Sequence, residues 1–227
     1  MIELLNIDCM EYMKTQPDKS FDLAIVDPPY GEGDLIMTNN PTPKERKNKN
    51  RQKYDIKEWN NEKPTQEYWN ELWRISKNQI IWGGNYFNLP ISRGWIFWDK
   101  KFENTFNFSA GELAWTSFDK ILKKYTLSSK SETKGGINRI HPNQKPVALY
   151  KWLLKNYAEP GQKILDTHLG SGSSAIAAHY FGCDFVGCEI DKEYYDAMMK
   201  RFKRETSQIA MFEGISTNIS RLFFSSD

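Results

Sequence analysis

Lys163-Ile-Leu-Asp-Thr-His-Leu-Gly-Ser-Gly-Ser-Ser-Ala-Ile-Ala-Ala-His-Tyr-Phe181, followed after Gly182-Cys183 by Asp184-Phe-Val-Gly-Cys-Glu189, decides the fold. A short apolar run ends in the carboxylate Asp166, a glycine-containing turn follows, and small residues from Ser174 to Phe181 form a helix. A second apolar run closes on Glu189. Strand, turn, helix, strand is the repeat of a parallel sheet covered by helices.

The same alternation extends outward. Downstream, Lys192 to Arg204 reads as a helix, while Gly214 to Asp227 is too weakly patterned to carry an expectation. Upstream, Pro146 suits the first turn of a helix over Val147 to Tyr157, which Pro160-Gly161 stops. Gln79-Ile-Ile-Trp, Trp95-Ile-Phe-Trp and Glu112-Leu-Ala-Trp-Thr read as strands, with Gly83-Gly84 as a break. Gln66 to Ser76 places Tyr68, Trp69, Leu72, Trp73 and Ile75 at helical spacing. Asp22-Leu-Ala-Ile-Val is a buried strand broken abruptly by Asp27-Pro-Pro-Tyr. No internal repeat is found.

A chain of 227 residues suits a single α/β domain with inserted loops. No run approaches the roughly 18 apolar residues of a membrane span. The start, Met1-Ile-Glu-Leu-Leu-Asn, does not resemble a secretory signal, so a cytoplasmic protein is expected. Cys9, Cys183 and Cys188 are too few for a disulfide framework and are expected as free thiols. His179, Cys183 and Cys188 lack a fourth ligand at a recognised spacing, so no metal is expected. The net charge of +2 points to no partner. Its distribution is more telling. Lys44, Arg46, Lys47, Lys49, Arg51, Lys53 and Lys57 face only Glu45 and Asp55. From Lys120 to Lys145, the basic residues Lys123, Lys124, Lys130, Lys134 and Arg139 intervene against Glu132 alone. Taken singly, each run reads as a solvated loop. Residues 31–65 are expected as a mobile basic loop, and 99–140 as a candidate target-recognition segment.

Two constellations carry chemistry. The turn from Asp166 to Ala175, with Glu189 one strand over, is a nucleotide-type site. Its glycines let a ligand approach the backbone, the helix start offers free amide donors, and the acid accepts from ribose hydroxyls. The turn also satisfies the G-x-G-x-x-A dinucleotide pattern. However, Asp166 would repel a pyrophosphate and suits an ammonium, such as that of the methionine part of S-adenosylmethionine. S-adenosylmethionine, a dinucleotide and a packing turn without ligand are the readings these residues leave open. Asp27-Pro28-Pro29-Tyr30 is more specific. The amine of adenine is a poor nucleophile because its lone pair is delocalised into the ring. A carboxylate (Asp27) and a carbonyl (Pro28) accepting from its two N–H groups return electron density to nitrogen. Pro28 and Pro29 make a rigid turn that aims the carbonyl. Tyr30 offers a flat face to a base taken out of a duplex. A plain surface turn would account for the prolines but not for the acid and the aromatic.

The chain resembles the β group of amino-methylating DNA methyltransferases, in which the catalytic motif precedes the cofactor motif. The resemblance is carried by Asn6-Ile-Asp8-Cys9, Asp27-Pro-Pro-Tyr30, Trp82-Gly-Gly-Asn-Tyr-Phe87, Gly94-Trp-Ile-Phe-Trp-Asp-Lys100 and Glu112-Leu-Ala-Trp115. It continues through His141-Pro-Asn-Gln-Lys-Pro146, Leu165-Asp-Thr-His-Leu-Gly-Ser-Gly172 and Gly187-Cys-Glu-Ile-Asp191, covering most of residues 1 to 205. His168-Leu169-Gly170 and Asn143 depart from the residues usual there. The resemblance implies a Rossmann-like, mostly parallel, doubly wound sheet with inserted recognition loops, S-adenosylmethionine as cofactor, and DNA as substrate with the target adenine flipped out. In that family Asp-Pro-Pro-Tyr occurs mostly in adenine enzymes, whereas cytosine-amine enzymes more often begin the motif with Ser. Cytosine methylation and a non-catalytic relative of the fold are the alternatives, and the family frequently forms homodimers. Carried over by residue, Asp27, Pro28, Pro29 and Tyr30 are catalytic. Asp8 sits near the cofactor adenine, Lys145 near its methionine end, and Cys9, Asp166, Gly170, Gly172, Ser173, Glu189 and Asp191 about the rest of it. Asp8 has the alternative of capping a helix, and Lys145 of being surface charge before Pro146. His141 is expected to be structural, since the reaction needs no strong base before methyl transfer. On this reading the basic runs, Lys44 to Lys53 with Lys123, Lys124 and Arg139, become phosphate contacts.

Overall fold

The run Phe21–Val26 is buried along almost its whole length, with Leu23 and Ile25 in one hydrophobic cluster and Ala24 and Val26 in another. Successive strand side chains face opposite sides of a sheet, so this sheet is covered on both faces. The computed structural model describes residues 1–31, 63–101, 109–128 and 139–223. In chain order these form β1 (Ile2–Leu5), α1 (Cys9–Lys14), β2 (Phe21–Val26), α2 (Gln66–Ile75) and β3 (Ser76–Trp82). Then come β4 (Trp95–Asp99), β5 (Gly111–Thr116), β6 (Lys123–Thr126), α3 (Val147–Tyr157), β7 (Lys163–Asp166), α4 (Ser173–Phe181), β8 (Asp184–Cys188) and α5 (Lys192–Phe223). The strands form one sheet in the order β1-β8-β7-β2-β3-β5-β4-β6. All neighbours pair parallel except β5, which runs antiparallel between β3 and β4.

One face of the sheet carries α3, α4 and α5 through Leu149, Leu153, Ile176, Ala177 and Met198, and the other carries α1 and α2 through Met13, Tyr68, Trp69, Leu72 and Ile75. Helix α2 is the stripe its spacing predicts: Tyr68, Trp69, Leu72 and Ile75 are its buried residues, and Thr65 caps it by accepting from the Tyr68 N–H. The fold expected from the glycine turn is the fold found.

The differences have local causes. Ile2–Leu5 forms β1 on the edge of the sheet, too short a run to stand out in the sequence. β5 and β6 both fall inside the 99–140 stretch, and β5 is held on both sides by ladders, so this part of the stretch is sheet. Helix α5 continues past Arg204 to Phe223. Among the described residues, no helix is long and apolar enough to cross a membrane.

Candidate active site

β7 and β2 are neighbours in the sheet, but the chain leaves β7 toward β8 on one side and β2 toward β3 on the other. At such a switch point the loops after the two strands diverge and leave a crevice at the carboxyl ends. A cavity of about 230 Å³ lies there, lined by Asp8, Cys9, Asp27, Pro28, Pro29, Tyr30, Lys145, Gly170, Ser173 and Glu189, among others. Residues from both ends of the chain thus meet in one space, as the two motifs required.

On the glycine-turn side, the backbone is organised around Glu189. Its Oε2 accepts from the Gly170 N–H at 2.8 Å and its Oε1 from the Asp191 N–H at 2.9 Å. Burial pushes this carboxyl above the usual range, against the pull of those N–H donors. Asp8 lines the cavity and also caps α1, accepting from the Met10 N–H at 2.7 Å, so both of its expected roles are compatible. Beside it the Cys9 thiol is pushed up to about 12 by burial and by Asp8, and stays neutral. Ser173 lines the cavity too, but its hydroxyl donates to the Lys145 carbonyl at 2.6 Å and accepts from the buried Arg201. Arg201, unmarked in the sequence, also donates to the Ser171 carbonyl and so pins the turn from α5.

Three residues of the expected cofactor set lie behind the surface of the cavity. Asp166 is 2% exposed, and its oxygens accept from the His168 N–H at 3.0 Å and the Ser174 hydroxyl at 2.5 Å. Burial raises its pKa to about 7. Gly172 has a φ of +73°, and a Cβ there would lie 2.5 Å from Met198 Cγ, so only glycine fits the turn. Asp191 caps α5, accepting from the Glu193 and Tyr194 N–H groups. On the far side, the Tyr68 hydroxyl from α2 shares a hydrogen bond with Thr167 Oγ1, which bonds His168 Nδ1.

On the catalytic-motif side, Asp27 follows β2 directly. Its Oδ1 accepts from the Tyr30 hydroxyl at 2.7 Å, and its Oδ2 pairs with Lys145 Nζ. The Tyr30 ring stacks on Tyr86 with centroids 4.8 Å apart and meets the edge of Phe87 at 6.0 Å. Gly83, at φ +66°, makes room for it: a Cβ there would stand 2.2 Å from the Tyr30 ring. Lys145 is 4% exposed, which overturns the surface-charge alternative, and its ammonium is engaged by Asp27 and Glu112 rather than turned to the expected methionine end of the cofactor. His141 is buried, accepts from the Asn143 N–H and lies edge-on to Tyr194. Its pKa is lowered to about 4, first by burial and then by Lys145, so the ring is neutral. Sequence reasoning did not single out Tyr86, Lys100 or Glu112. All three lay in the quoted motifs, and only the antiparallel β5 brings Glu112 to the site.

Of the predicted DNA contacts, only Lys123, Lys124 and Arg139 fall among the described residues. Lys44, Arg46, Lys47, Lys49, Arg51 and Lys53 lie outside the described residues. Lys123 donates to Asn156 Oδ1 on α3 and Lys124 pairs with Asp99 at 2.8 Å, both from the edge strand β6. Arg139 is partly buried ahead of the His141 turn. Among the described residues, no group of His, Cys, Asp and Glu has the arrangement of a metal site.

The cavity chemistry fits S-adenosylmethionine. Asp8, Asp27 and Glu189 line it, and its lining lysine, Lys145, is already paired with Asp27 and Glu112. A pyrophosphate would meet carboxylates without a free cation among the described lining residues, whereas a sulfonium with an ammonium and ribose hydroxyls meets acceptors. Comparison with known proteins agrees. The N6/N4 DNA methylase family matches residues 34–200. The type II methyltransferase M.HinfI of Haemophilus influenzae is 26% identical over 244 residues, covering 88% of this chain and 68% of that protein. The M1.HpyAVI complex with S-adenosylmethionine superposes with a TM-score of 0.57 at 19% identity, covering 88% of this chain and all of the other. The PvuII cytosine-N4-specific DNA methyltransferase gives a TM-score of 0.59 at 13% identity, covering 91% and 90%. The chain belongs to the N6/N4 DNA methylase family.

Proposed function

We propose that the chain methylates the exocyclic N6 amine of adenine in DNA, the target base being turned out of the duplex into the crevice beside Asp27. The observation that carries this reading is that Asp27-Pro28-Pro29-Tyr30 and Glu189 line one cavity. When bound, S-adenosylmethionine supplies an electrophilic methyl group on a sulfonium. The chain supplies the rest. Glu189 and Asp8 are the acceptors for the cofactor's polar groups, with the Gly170 turn letting it approach. Asp27 Oδ1 and the Pro28 carbonyl accept the two amine protons, which draws the nitrogen lone pair out of the ring and aims it at the methyl group. To do so the amine displaces the Tyr30 hydroxyl from Asp27, leaving the ring of Tyr30, backed by Tyr86, to hold the base. The methylated amine is cationic and acidic, so its proton leaves without a dedicated strong base. His141, buried and held down at about 4, is only a weak base. The basic run Lys44–Lys53, with Lys123, Lys124 and Arg139, is assigned to the DNA backbone, where cations fix position without reading sequence.

The test is to incubate the protein with methyl-labelled S-adenosylmethionine and a mixed-sequence duplex, digest the product to nucleosides and map the modified positions. Label in N6-methyladenine at a fixed sequence is the expected result. Label in N4-methylcytosine would replace the adenine reading with the cytosine one, and no label in DNA would overturn both.

A further inference from the structure

The Asp27 carboxylate does not stand alone. Lys145 Nζ is hydrogen-bonded to Asp27 Oδ2 and lies 3.1 Å from Glu112 Oε2. The other oxygen of Glu112, Oε1, is 2.5 Å from Lys100 Nζ. Four groups of alternating charge thus run from the site into the sheet, contributed by the loop after β2, the turn before α3, β5 and the end of β4. The ammonium of Lys145 also sits 5.3 Å from the centroid of the Trp82 ring, and that of Lys100 5.2 Å from Trp98. Both indoles are fully or almost fully buried. Burial alone would lower Lys145, but the two carboxylates more than offset it and leave it raised, hence charged. Its two flanking cations hold Glu112 down at about 2 despite its burial.

We propose that Lys145 is a positioning residue for methyl transfer: it clamps Asp27 Oδ2, and Glu112 holds the clamp in place, so that only Asp27 Oδ1 is presented to the target amine. This rests on the reading of Asp27 as the amine acceptor. The geometry supports it in three ways. Lys145 is 4% exposed, so water has little access with which to replace it on Asp27. Its position is fixed from behind, because Glu112 Oε2 lies 3.1 Å from its ammonium while Lys100 holds the other oxygen of that carboxylate. The remaining partner of Asp27, the Tyr30 hydroxyl, is carried by a side chain in the cavity wall and can give way to a base. A carboxylate free to rotate would present either oxygen at any angle. Clamped at one oxygen it keeps the orientation an in-line transfer needs.

The experiment compares four variants with the parent by single-turnover methyl transfer to a duplex and by calorimetric binding of S-adenosylmethionine: Lys145→Met, Asp27→Asn, the two combined, and Lys145→Met with Glu112→Gln. The last removes one charge of each sign and leaves the cluster neutral, so it carries the same test if Lys145→Met alone fails to fold. Expected for Lys145→Met, alone or with Glu112→Gln, is a fall in the transfer rate of about 100-fold, the scale of a lost preorganising contact. The cofactor dissociation constant should stay within about threefold. Added to Asp27→Asn, Lys145→Met should slow the reaction by less than about threefold, because a clamp has no effect once its carboxylate is gone. A parent-like rate in both variants that lack Lys145 but keep Asp27 would overturn the proposal. So would a loss that appears in cofactor affinity, or one that persists in full on the Asp27→Asn background. An inactive parent would instead refute the reading of Asp27 on which the proposal rests.

Discussion

At the scale of single residues, the site is built from carboxylates given different tasks by their surroundings. Asp27 is 17% exposed and paired with a cation, Asp166 is buried and bound by neutral donors, and Glu189 receives two backbone N–H groups. The last arrangement makes Glu189 the post on which the glycine turn is hung, and on the proposed reading it is also a ligand for the cofactor. Replacing it with Gln keeps the size but turns an amide donor toward one of those N–H groups, so affinity for S-adenosylmethionine should fall by about 1.5–3 kcal/mol. Titration calorimetry checks this, and an unchanged dissociation constant would take Glu189 out of the cofactor site. Asp27, Tyr30 and Glu189 were legible in the sequence because each ends a strand or sits within four residues of one. Lys145 was legible as a residue but not as the partner of Asp27, since 118 positions separate them and no local pattern encodes the pairing.

At the scale of elements, the glycine turn between β7 and α4 shows why the sequence pattern works. Gly172 takes a left-handed conformation and lies against Met198 of α5, so the turn and the helix packed on it share one contact. Gly172→Ala should destabilise the protein by about 1–3 kcal/mol, from the unfavourable φ and the forced shift of Met198. Denaturant unfolding measures it, and a neutral substitution would mean that the turn is looser than the structure has it. Strands β2 and β8, and the apolar end of β3 from Gln79 to Trp82, were readable because both faces of the sheet are covered. β1 and β6 were not: each has four residues and lies at an edge, where half-exposed side chains blur the pattern. The strand Glu112–Thr116 was readable, but not its antiparallel insertion between β3 and β4, which is what brings Glu112 to Lys145.

At the scale of the whole molecule, the sheet order is what makes one site from two distant stretches. Residues 21–26 and 163–166 are joined through a parallel ladder, Leu23 to Ile164 and Ala24 to Leu165, so the loops that follow them open at the same edge. The motif order in the sequence therefore does not matter to the chemistry; the spatial order does. The crevice at that edge was foreseeable from strand-turn-helix alternation, whereas the charge path into β4 and β5 required the coordinates. The account as a whole stands on Asp27 acting on a base amine in a site whose cofactor half is independent of it. The most direct measurement is a paired one on Asp27→Ala: calorimetric binding of S-adenosylmethionine, and methyl transfer to duplex DNA with the product nucleoside identified. The account predicts a cofactor affinity within a few-fold of the parent and a transfer rate lower by several orders of magnitude, about 1.4 kcal/mol of lost transition-state stabilisation for each factor of ten. Near-parent transfer to adenine by Asp27→Ala would contradict it.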